Sequence, residues 1–182
     1  MLDLKTGRFV INAEKGWEFH PFMSRKEFFE SGLFKQSEHS KNSSEINATK
    51  KYFHFPSINI NGYEMNMSVH IGGLHDCVKN IWLVSTKLME IPDINCMPDN
   101  WREIAYEVKR IHDEFLQKET AMSPSDIDKD RENSFSLSWG SFGSSFCLRY
   151  DMPSADIEIS YDNFTEEDKA ELDKISDDIL WG

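Results

Sequence analysis

SFSLSWGSFGSSFCLRYDMPSADIEISYD, residues 134–162, is the longest run in the chain in which aromatic and aliphatic residues alternate with small polar ones. Alternation at period two is the mark of a half-buried strand. Phe135, Leu137 and Trp139 share one parity, Phe146, Leu148 and Tyr150 the other, and Ile157, Ile159 and Tyr161 resume after a turn. A parity change within one strand is what a bulge produces, and Gly140 and Gly143 stand where one is expected. The stretch makes this a sheet protein.

Upstream of it, residues 119–133 read as a polar connection holding the acidic run Asp126-Ile-Asp-Lys-Asp-Arg-Glu132. Before that, residues 101–117 form the best helix: Trp101, Ile104, Ala105, Val108, Ile111, His112 and Phe115 follow the i, i+3, i+4, i+7 spacing, while Arg102, Glu103, Glu107, Lys109, Arg110 and Glu114 fall elsewhere. This apolar stripe is expected to lie across the sheet. Asn61-Gly62 is the dipeptide preferred in a two-residue type I′ hairpin. A turn there sets Ile60 opposite Tyr63, Ile58 opposite Met65 and Pro56 opposite Met67, with Asn59, Glu64 and Asn66 on the other face. Pro56 cannot donate to a ladder, which predicts either an edge position for its strand or a backbone nitrogen that points outward. Ile81-Trp-Leu-Val84 reads as the next antiparallel strand.

Towards the start, Arg8-Phe-Val-Ile11 predicts a short strand, and Ser24-Arg-Lys-Glu27 a capping box that sends Phe28 and Phe29 into the core, with Gly32 placed to end the helix. Residues 35–50 are almost wholly polar and read as a surface loop. Downstream, Thr165-Glu-Glu-Asp168 opens a C-terminal helix whose buried stripe is Leu172, Ile175, Ile179 and Leu180. The expected fold is therefore α+β: a single domain over residues 1–182, with a mainly antiparallel meander of hairpins packed by about three helices.

A chain of 182 residues can bury a core without staples. Its three cysteines, Cys77, Cys96 and Cys147, are widely spaced, and its first residues lack the charged-then-apolar pattern of a signal peptide, so a reducing cytoplasm is expected. The net charge of −12 is concentrated late: residues 1–54 carry +2, residues 55–150 carry −5 and residues 151–182 carry −9. An acidic surface repels nucleic acid and anionic membrane and suits a basic protein partner.

No catalytic or metal site is expected, nor any cofactor. His70, His75, Asp76 and Cys77 lack the tight pairs of a zinc site, because Cys96 and Cys147 are solitary. Gly140-Ser-Phe-Gly143-Ser-Ser lacks the lysine and following helix of a phosphate loop. Asp126, Asp128, Asp130 and Glu132 alternate like the start of a calcium loop, yet the glycine at the sixth position is absent.

The opening LDLKTGRFVI, the HPFMSRKEFFESGLF that follows, and the closing FSLSWGSFGSSFCLRYD and ADIEISYD resemble small bacterial immunity proteins encoded beside polymorphic or contact-dependent toxins. The resemblance implies a cytoplasmic, non-enzymatic protein that binds one cognate toxin domain and blocks its active site or a required surface. Many such toxins are basic nucleases, and an acidic inhibitor gains association rate from opposite potentials. On that reading the contact residues are Asp126, Asp128, Asp130 and Glu132, together with Glu166, Glu167, Glu171, Asp173, Asp177 and Asp178. Two rivals remain: an acidic secretion chaperone with an exposed apolar groove, and an enzyme built around His70, His75 and Asp76.

Overall fold

Asn61 (φ 52°) and Gly62 (φ 94°) both occupy the left-handed region, as a two-residue type I′ turn requires. The computed structural model describes residues 1–3, 6–72, 76–87, 100–120, 126–131, 134–139, 142–148 and 153–161, with the strands from 126 to 155 as backbone. Within them run β1 (Phe9–Asn12), β2 (Trp17–Phe19), α1 (Arg25–Glu30), α2 (Ser44–Thr49), β3 (Tyr52–Ile60), β4 (Tyr63–Gly72), β5 (Cys77–Ser85), α3 (Trp101–Thr120), β6 (Asp126–Arg131), β7 (Ser134–Trp139), β8 (Phe142–Leu148) and β9 (Pro153–Ser160). The fold is α+β, and every strand pairing is antiparallel.

Seven strands form one sheet in the order β3-β4-β5-β9-β8-β7-β6. It consists of two meanders, β3-β4-β5 and β6-β7-β8-β9, joined edge to edge by the β5–β9 pair, with α3 between them in the chain. Ile157, Ile159 and Tyr161 therefore come to the middle of the sheet and are buried. A separate β1–β2 hairpin adds Phe9 and Phe19 to the core.

The Asn61-Gly62 turn sets Ile60 opposite Tyr63 and Ile58 opposite Met65, as expected. Beyond that the expected register fails, for Met67 lies opposite Phe55 rather than Pro56. A bulge falls between Phe55 and Ile58, where Ser57 has φ 50° and its amide donates to Asn66 Oδ1 at 3.1 Å. Proline cannot serve the ladder, so the extra residue is accommodated where pairing is already lost. The bulge has a large consequence: it reverses the facing of the strand, burying Phe53 and Phe55 and turning Tyr52 and His54 outward. β3 is an edge strand, one of the two placements that Pro56 allows.

The parity change around Gly140 belongs to a hairpin, not to a bulge. Trp139 pairs with Phe142, Leu137 with Ser144 and Phe135 with Phe146, and a register set by a two-residue connection exchanges odd and even positions. The segment 119–133 is likewise not one connection, since α3 extends to Thr120 and β6 follows as the sheet's other edge. Charged residues are tolerated there because an edge strand with charges resists pairing with other chains. Within 35–50, a 3-10 turn (Phe34–Gln36) and α2 replace the expected loop; Ser43 caps α2, and Asn47 is buried while donating to His39 O at 3.1 Å. The expected helix beyond residue 162 lies outside the described residues.

Ser24 and Glu27 make the full capping box, and Glu27's carboxyl is held below the usual range by the Ser24 hydroxyl and amide. The helix ends at Ser31 rather than through Gly32. Gly32 instead admits Trp17, whose Nε1 would lie 3.1 Å from a Cβ at that position. Phe28 stands at the centre of an aromatic core, its ring centroid 5.2 Å from that of Phe53, 5.5 Å from Phe34, 5.8 Å from Phe29, 6.1 Å from Phe19 and 6.2 Å from Phe55. On α3, Val108 and Phe115 are buried and Ile111 is partly buried against the core, as the stripe predicted, and Leu116, outside that stripe, is buried as well. Lys109 departs from it: although assigned to the polar face, it is buried and paired with Asp113 one turn on.

Arg25 ties three segments together. Its guanidinium grips Asp76 through Nε and Nη2 at 2.6 and 2.7 Å, while Nη1 donates to the carbonyls of Asn47 and Lys50 at the end of α2. Asp76 is half-exposed, so the ion pair itself contributes little; the two carbonyls are the larger loss. Arg25→Lys, which cannot hold this fork, is expected to lower unfolding free energy by about 1–3 kcal/mol in urea titration. A change below about 0.5 kcal/mol would show that the clamp is incidental.

Candidate partner-binding face

Strand register sorts the sheet into rungs that alternate between its two faces. One rung reads Phe53–Val69–Ile81–Ile159–Phe142–Trp139 from β3 to β7, and its described members are fully buried. α1 and α3 supply Phe28, Phe115 and Leu116 to this side. The next rung crosses all seven strands as His54–Ser68–Trp82–Glu158–Gly143–Ser138–Asp126. Beside it lie Tyr52–His70–Asn80–Ser160 on one side and Asp156–Ser145–Ser136–Asp128 on the other. Their described members are exposed or partly exposed except Asn80, so the second face is open among the described residues.

Three rings from three neighbouring strands make a plate on this face. Tyr52 stacks on His70 with centroids 4.8 Å apart and planes 14° apart, and His70 stacks on Trp82 at 6.2 Å and 28°. Tyr52 is 48% exposed, unusually open for a large aromatic. The plate is pinned at its inner edge. Asn80 Nδ2 donates to Glu158 Oε1 at 2.8 Å and to Ser160 Oγ at 3.3 Å, which leaves Asn80 Oδ1 to accept from His70 Nδ1 at 3.4 Å. Glu158 is exposed and is the direct cross-strand partner of Trp82.

The expected contact residues divide into two groups. Asp126, Asp128 and Asp130 fall in β6, with Asp126 and Asp128 in register with Ser138 and Ser136, so their positions terminate the rungs that begin at His54 and continue through Asp156. A register shift follows Asp128. Glu132, Glu166, Glu167, Glu171, Asp173, Asp177 and Asp178 lie outside the described residues. The plate residues Tyr52, His70 and Trp82, with Asn80 and Glu158, form no pattern in the sequence that marks them as a site.

Of the residues considered for catalysis, the two that are described, His70 and Asp76, each have other partners. Asp76 is committed to Arg25, whose hydrogen bonds hold its carboxyl below the usual range, and His70 belongs to the plate. His75 is outside the described residues. Among the described residues, no group of three His, Cys, Asp or Glu is placed to hold a metal. His54 Nδ1 lies 2.8 Å from Ser68 Oγ across the β3–β4 pair. No family model, curated protein or solved structure matches the chain. No described helix is long and apolar enough to cross a membrane.

Proposed function

We propose that this protein is a cytoplasmic immunity protein that binds a basic bacterial toxin domain and blocks its active site or a required surface. The observation that carries the reading is the open sheet face, where an exposed Tyr52 and the partly exposed His70 and Trp82 sit beside carboxylates in a chain of net charge −12. A broad face of this kind, with aromatic anchors and a polar surround, suits a protein partner, whereas small substrates are held in concave, mostly apolar pockets. Opposite potentials then steer association and suppress wrong partners.

Where the gene directly upstream encodes a large secreted protein, the partner to test is the C-terminal domain of that protein, inactivated by substitution and mixed with this protein at low salt. A single co-eluting species on size exclusion is expected; separate elution of the two would overturn the reading. Steering adds a kinetic expectation. Neutralising Asp126, Asp128, Asp130 and Glu132 together to Asn or Gln is expected to slow association about tenfold at low ionic strength, with a smaller change in dissociation. An unchanged association rate in stopped flow would remove this strand from the interface.

A further inference from the structure

We propose that the Tyr52–His70–Trp82 plate and the neighbouring Glu158 carboxylate are the docking point for an arginine side chain of a basic protein partner. The inference rests on the immunity reading for the partner's identity and on this geometry for its chemistry. A guanidinium is flat and weakly hydrated, so it stacks on an indole or phenol face while its edge presents N–H donors to a carboxylate alongside. Trp82 and Glu158 supply both halves, being directly opposite on adjacent strands with Cβ atoms about 5 Å apart at such positions. Glu158 spends Oε1 on Asn80, and a carboxylate accepts several donors at once, so a second, charged donor can be added.

The rest of the molecule shows the same preference satisfied internally. Lys15 lies 4.4 Å from the centre of the Trp17 ring, Lys118 lies 5.1 Å from that of Tyr63, and the Arg25 guanidinium lies 5.9 Å from that of Phe29. These three rings are partly buried, and each has a cation of its own chain. Among the described residues, the plate has none, although its Tyr52 is exposed. Charge complementarity selects the occupant, because the rungs through and beside Trp82 carry Glu158, Asp156 and the positions of Asp126 and Asp128.

The test is a titration of the ¹⁵N-labelled protein with an acetylated, amidated (Gly-Arg)₄ peptide and with its (Gly-Lys)₄ counterpart. The Trp82 indole N–H, assigned through Trp82→Leu, and the Asn80 side-chain amide are expected to shift with the arginine peptide at about two- to fivefold lower concentration than with lysine. Glu158→Gln, a change at an exposed position, is expected to remove that preference with the fold intact. Equal response to both peptides, or shifts centred elsewhere, would overturn the proposal. The toxin domain separates this inference from the functional reading on which it rests. If that domain is bound with unchanged affinity by Trp82→Leu and Glu158→Gln, the plate is refuted and the immunity function stands. If the plate selects arginine peptides while the toxin domain is not bound, the plate stands and the immunity function falls.

Discussion

Phe28→Ala is expected to lower unfolding free energy by about 3–5 kcal/mol, the range for removing a large buried aromatic side chain. The ring is fully buried, with the five centroids of Phe19, Phe29, Phe34, Phe53 and Phe55 within 6.2 Å, and those rings come from β2, α1, the following 3-10 turn and β3. Few substitutions would sever so many segments at once. Domains of this size are stable by only about 5–15 kcal/mol, so the variant is expected to be marginally folded at 37 °C. Urea midpoints for wild type, Phe28→Leu and Phe28→Ala provide the check. The leucine variant should fall between the other two, and a loss below about 1 kcal/mol for alanine would mean that the aromatic cluster is not the centre of the core.

The second large effect is acid lability through His112. This side chain is fully buried on α3, and its Nε2 accepts the Ser85 amide at 2.9 Å, so the ring is neutral with its proton on Nδ1. Burial, reinforced by the nearby Lys109 charge, pushes its pKa down to about 3. In the unfolded chain the same group titrates near 6.5 and takes up a proton that the folded protein refuses. The His112 contribution is thus fully present above pH 6.5 and is lost as pH falls from 6.5 towards 3, about 2 kcal/mol having gone at pH 5. His39, lowered chiefly by burial, acts in the same direction, whereas Glu27 and Asp76, with lowered carboxyl pKa values, come into play only at lower pH. Unfolding free energies at pH 7.5, 6 and 5 are expected to fall steadily in wild type. The fall should shrink in His112→Gln, which cannot take up a proton. An equal slope in that variant would assign the lability to other groups.

Local chemistry makes much of this fold legible in the sequence. The Asn61-Gly62 turn, the Ser24 box, the α3 stripe and the alternation through Ile157, Ile159 and Tyr161 depend on neighbours within a few residues, and each is found. β2 escapes such reading because three residues give no period. β6 escapes it because Ile127 is the one apolar residue among six, and an edge strand need not bury a face. The central place of β9 depends on pairing with β5, some seventy residues earlier, which no local pattern encodes.

The plate is hidden in the sequence for a sharper reason. Extended without interruption, the hairpin register would send Tyr52 to the core side with Ile58 and Ile60; the bulge at Pro56 and Ser57 turns it outward beside His70. Pro56 is the available signal, since a proline inside a paired strand marks the place where the ladder must break. The acidic segments are legible as charge alone. Of the expected contact residues, Asp126 and Asp128 are set in register at the end of the open face rather than in a site apart from it, and Asp130 falls where the register of the same strand shifts.

Survival of cells producing the C-terminal domain of a secreted protein encoded beside this gene, with and without this protein, tests the central claim most directly. Co-production is expected to restore growth, and Trp82→Leu combined with Glu158→Gln to weaken that protection as binding weakens. Cells that die equally with and without the protein, at levels where it is soluble and in excess over the toxin, would contradict it.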